Sequence, residues 1–141
     1  MKLSRLYTYW LLSFFLTPVA NIGFAQKPVV VNLTCNYKTD PIGIGTPNPA
    51  LSWVIQSAGY NITQKAFRVI VSDNYRSIVE GKGDIWDSGK VASEASIQFK
   101  YNGLPLKPSV KYYWRVKVWD NKENVSEWSS IGAWQMGLLS S

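Results

Sequence analysis

The chain has 141 residues, 46% of them hydrophobic and 17% charged, a balance that excludes a disordered polar tail and a chain made of membrane spans. Its 15 basic and 9 acidic residues give a net charge of +6 with no histidine, so imidazole proton transfer and the usual histidine-containing zinc sets are excluded. The basic residues stand singly along the chain, which argues against a nucleic-acid footprint.

At the N-terminus, Lys2 and Arg5 precede an apolar stretch from Leu6 to Leu16, and Gly23-Phe24-Ala25 supplies small residues of the kind signal peptidase reads. This predicts a cleavable signal peptide over residues 1–25, a mature domain over 26–141, and export to the periplasm or the cell exterior. Thr17-Pro18 interrupts the apolar run before the ~20 residues a spanning helix requires, so no stable membrane anchor is expected. Loss of Lys2 and Arg5 leaves 13 basic residues against 9 acidic ones, a mature charge of +4. Cys35 is the single cysteine, so no intramolecular disulfide can form and the fold must rest on apolar packing. A buried, inert thiol is expected there.

Seven Trp and eight Tyr are more than a small helical bundle uses, and strand-like runs recur between turn residues without a helical period. Val29 to Tyr37 reads as the first strand, and Asp40 to Pro49 is so rich in Pro and Gly that it reads as a connection. Leu51, Trp53 and Ile55 alternate with Ser52, Val54 and Gln56 as an inward set. Phe67, Val69 and Val71 repeat the pattern, with Arg68 and Ile70 facing outward, and one helical turn fits Arg76 to Glu80. Ile85 to Lys90 predicts a short edge strand, and Ile97 with Phe99 the inward set of the next. In the clearest strand Tyr112, Trp114, Val116 and Val118 share one face and Lys111, Tyr113, Arg115, Lys117 and Trp119 the other. A turn over Asp120 to Asn124 leads to a last strand holding Trp134 and Met136.

These runs predict an all-β fold, an immunoglobulin-like or fibronectin type III-like antiparallel sandwich of about seven strands, with a barrel as the alternative. Trp53 and Trp114 are the expected central pair, and Trp86 and Trp128 are expected to cover the ends of the sandwich.

The segment Leu106-Lys107-Pro108-Ser109-Val110-Lys111-Tyr112 resembles the fibronectin type III corner, with Tyr112 as the tyrosine whose hydroxyl finds a backbone partner. Four stretches resemble the N-terminal β-sandwich domain of bacterial α-L-rhamnosidases of glycoside hydrolase family 78. They are Pro41-Ile42-Gly43-Ile44 leading to Pro49-Ala50-Leu51-Ser52-Trp53; Gly83 to Val91; Tyr112 to Asp120; and Ser126-Glu127-Trp128-Ser129 with Trp134 to Leu139. Ala50 departs from the pattern, where relatives often carry Arg. The resemblance implies a parent enzyme that releases terminal L-rhamnose by inverting hydrolysis, with its acid and base in a helical barrel domain far downstream. None of those residues can be placed on this chain, which on this reading is a fragment or truncated product that partners the other domains of the enzyme.

Tested for chemistry of its own, the sequence offers little. The pairs Gly43/Gly45 and Gly81/Gly83 lack the third glycine of a dinucleotide loop and read as turns, and no cofactor is expected. A glycosidase needs two carboxyl groups facing one sugar. Asp84 and Asp87 are the one tempting pair, but their spacing on an extended strand puts them about 10 Å apart on opposite faces. No catalytic or metal-binding residue is therefore assigned. The surface that invites a functional reading is the outer face carrying Arg68, Tyr113, Arg115, Lys117 and Trp119. Packing against other domains, a plain solvated sheet and contact with rhamnose-containing glycans all remain open there. An independent carbohydrate-binding or adhesive module is the alternative to an accessory domain.

Overall fold

The computed structural model describes Pro18 and residues 26–139, so the expected signal peptide, Pro18 apart, lies outside the described residues. Among the described residues the chain forms β1 (Val29–Cys35), β2 (Ile42–Ile44), β3 (Ala50–Gln56), β4 (Gln64–Ser72), α1 (Tyr75–Val79), β5 (Trp86–Asp87), β6 (Val91–Ala92), β7 (Phe99–Lys100), β8 (Lys111–Asp120) and β9 (Gly132–Met136). One sheet has the order β1-β3-β7; the other runs β2-β9-β8-β4-β5, with β6 also paired to β4. The two sheets form an immunoglobulin-like sandwich. No helix among the described residues is long and apolar enough to cross a membrane.

The period-two pattern of β8 decides which side faces the core. Tyr112, Trp114, Val116 and Val118 are buried, while Tyr113, Arg115, Lys117 and Trp119 are half-buried on the outer side. Phe67, Val69 and Val71 of β4 and Leu51 and Trp53 of β3 close on them from both sheets. Trp53 meets Phe67 edge-on at 5.0 Å between centroids and Phe99 at 6.5 Å. Its indole N–H donates to Gln64 Oε1 at 2.9 Å, and the Gln64 amide in turn donates to the carbonyls of Ser93 and Ala95 at 3.0 and 2.8 Å. This buried amide is thereby satisfied and ties the 93–95 loop to the sandwich.

Trp53 and Trp114 both lie in the one core cluster, together with a third tryptophan, Trp134. The Trp53 and Trp114 rings are buried, and Trp114 packs over Gly132, where a Cβ would stand only 2.7 Å from its Nε1. Trp134 packs beside Tyr112 at 5.6 Å and Tyr101 at 6.1 Å. The corner forms as the motif implied, with the Lys107 N–H donating to the Tyr112 hydroxyl at 2.8 Å. Cys35 is buried and unpaired, and burial pushes its thiol up to about 12, which keeps it protonated and unreactive at neutral pH.

Four expectations need correction. The Asp40–Pro49 connection contains β2, which pairs with β9 in parallel, so the sandwich is not wholly antiparallel. Three residues around a glycine are too few to show alternation. The approach is possible because Gly43 holds φ at +86° and Gly137 has no side chain, where a Cβ would lie 3.2 Å from the Gly43 backbone. Ile97 is 70% exposed because Gln98, at φ +57°, breaks the alternation that would have put Ile97 beside Phe99. Ile70 is fully buried although it points outward, since α1 lies over this end of the sheet and buries Ile78 as well. Finally, Trp86 lines the side of the sandwich, stacked on Phe99 at 5.6 Å, and Trp128 lies on the outer face, so neither caps an end.

Candidate contact face on the outer sheet

Antiparallel pairing of β4 with β8 sets Arg68 directly opposite Lys117 and Ile70 opposite Arg115. The five residues expected to share the outer face therefore do so. Four of them alternate along one strand, two residues and about 7 Å apart at each step.

Each cation on this face already has a partner. Arg68 forms a two-pronged bond with Asp87, Nε to Oδ1 at 2.9 Å and Nη2 to Oδ2 at 2.6 Å. The hydrogen bond from Arg68 holds the Asp87 carboxyl below its ordinary value, aided by the Gly89 N–H and opposed by partial burial. Both side chains are more than a third exposed, so the pair contributes less than about 1 kcal/mol. Arg115 donates from Nε to the Ser129 carbonyl at 2.8 Å and from Nη1 to the Val79 carbonyl at 3.4 Å, which ties α1 and the 126–130 segment to β8.

Aromatic rings cover the remaining charges. The Lys117 ammonium and the Arg68 guanidinium both lie over Trp128, at 4.6 and 5.7 Å from its centroid. Lys90 lies over Trp119 at 4.8 Å and Lys111 over Tyr113 at 5.4 Å, while Tyr75 of α1 meets Tyr113 edge-on at 5.3 Å. Sequence reasoning missed Trp128, Lys90 and Tyr75 as members of this face, because each arrives from a loop or helix outside the alternating strand. The Ser-Glu-Trp-Ser stretch was visible, but nothing in it says where the ring folds back.

The candidate acids Asp84, Asp87 and Glu127 each have a partner among the described residues. Asp87 is committed to Arg68, and a carboxyl held below its ordinary value is a poor general acid. Asp84 accepts from the Ser72 hydroxyl at 3.2 Å, and Glu127 pairs with Lys27 at 2.9 Å. The acids serve as local fastenings.

Residues 30–140 match the family model of the Rha78A-like, N-terminal immunoglobulin domain. The chain belongs to this family. It is 40% identical over 104 residues to an α-L-rhamnosidase of Formosa agariphila, covering 74% of this chain and 11% of that protein. An α-L-rhamnosidase of Streptomyces avermitilis is 38% identical over 110 residues, covering 78% and 10% respectively. Among solved structures, the α-L-rhamnosidase from Dictyoglumus thermophilum superposes with a TM-score of 0.78 at 35% identity, over 80% of this chain and 13% of that one. The Streptomyces avermitilis α-L-rhamnosidase complexed with L-rhamnose gives 0.75 at 38% identity, over 79% and 11%. The chain thus spans about a tenth of the length of the relatives it matches, as their N-terminal domain.

Proposed function

We propose that this chain is the non-catalytic N-terminal module of an exported α-L-rhamnosidase-type glycoside hydrolase, and that its outer face packs against other domains of that enzyme. The observation that carries the reading is the match of residues 30–140 to an N-terminal domain that makes up about a tenth of enzymes of that activity. The chemistry agrees with it: the chain has no histidine, and its candidate acids are tied to cations or hydroxyls. Packing against protein is the use of the outer face best supported by its build, because a surface whose cations are already covered by rings loses little hydration when a neighbour closes over it.

The reading is tested by an immunoblot of the source organism with an antibody raised against this domain. It predicts a band many times heavier than the 15.9 kDa of this chain, found outside the cytoplasm. A band at the size of the isolated chain, with nothing larger, would contradict it.

A further inference from the structure

A second surface, beside the outer face and sharing Asp87 with it, is concave. Between β5 and β7, on the open side of the sandwich, lies a cleft of about 910 Å³. Its apolar wall is Trp86, Phe99 and the exposed Ile97; its polar wall includes Asn48, Gln98 and Asn102.

Three features make this more than a crevice between loops. The indole N–H of Trp86 has no partner among the described residues and is open to solvent, on a ring fixed by stacking on Phe99 at an interplanar angle of 12°. Asn48 uses its amide N–H on the Tyr101 carbonyl at 3.0 Å and so keeps its side-chain oxygen free to accept. Gln98 is held at φ +57° by its own N–H donating to Ser52 Oγ at 2.9 Å, a conformation uncommon for a residue with a side chain, and this turn leaves Ile97 exposed on the lip.

From this lining we infer that the cleft binds a neutral saccharide. Sugars present C–H faces that pack on rigid aromatic and aliphatic walls, and hydroxyls that both donate and accept, which amides and an indole N–H match. The charged residues of the lining are Lys100 and Asp87, the latter paired with Arg68, so the lining is otherwise uncharged around one ammonium group. A peptide is the poorer fit: it would add as a strand to an exposed edge, and the two edges here, β5 and β7, are only two residues long each.

The test is a titration of the full ¹⁵N-labelled chain, followed by NMR, with methyl α-L-rhamnopyranoside, cellobiose and an oligogalacturonate as probes. The proposal predicts that at least one of the two neutral sugars shifts the Trp86 indole and the Gln98 and Asn102 side-chain amide signals saturably. Changing both Gln98 and Asn102 to Ala should weaken that binding roughly tenfold. Neither side chain has a hydrogen-bond partner among the described residues, so the variant is expected to fold, which its spectrum verifies. Shifts with neither neutral sugar, shifts only with the anionic probe, shifts confined to Tyr113, Lys117 and Trp119, or undiminished affinity in the double variant would each overturn it. The immunoblot is independent, because membership of a larger enzyme does not depend on whether this cleft binds sugar.

Discussion

Asp120 ends β8 by accepting from the backbone N–H groups of Lys122 and Asn124, both at 2.8 Å, and from the Asn124 amide at 3.0 Å. Burial works to raise its pKa, but these bonds outweigh it and hold the carboxyl below its ordinary value of 3.8. The sign follows: a group whose folded pKa is depressed stabilises the fold fully above the ordinary value and loses that contribution as pH falls through the folded one. Asp120→Asn should therefore cost about 1–3 kcal/mol at pH 7 in urea unfolding, and the gap from wild type should narrow on going below pH 4. Core size sets a larger scale. Trp53→Ala and Trp114→Ala should each cost about 3–5 kcal/mol, with Trp53 toward the upper end because its loss also strips the Gln64 carbonyl of its donor.

Among the elements, β3, β4 and β8 were legible because each alternates long enough to declare its inward face, and the α1 turn was legible from Arg76 to Glu80 between turn residues. What escaped was set by contacts remote in sequence. The exposure of Ile97 depends on a bond from Gln98 to Ser52, and the burial of Ile70 on α1 folding back over β4. The strand β2 escaped because its pairing with β9 depends on a positive-φ turn at Gly43 that other residues adopt only at a cost. Gly43→Ala tests this directly. Open space surrounds the added methyl, so the cost is conformational, about 1 kcal/mol at φ +86°, read as a lower thermal midpoint. A cost near zero would mean that β2 relaxes at no expense.

At the scale of the whole molecule, two sheets close over three tryptophans, and the family pattern was visible because the turn and ring residues that fix that closure stand close together in four stretches. The outer face was half legible. One strand displays Tyr113, Arg115, Lys117 and Trp119 openly, but the ring and carbonyls that cover its cations come from Trp128, Ser129 and Val79, and Tyr75 packs on the Tyr113 ring. Alternation places a side chain on a face and says nothing about what folds over it. The central claim, a domain that serves an enzyme without doing its chemistry, is tested most directly by incubating the purified chain with p-nitrophenyl α-L-rhamnopyranoside. The account predicts no nitrophenol release above the protein-free blank from pH 4 to 8. Sustained turnover that disappears when Asp84 or Asp87 is changed to Asn would contradict it.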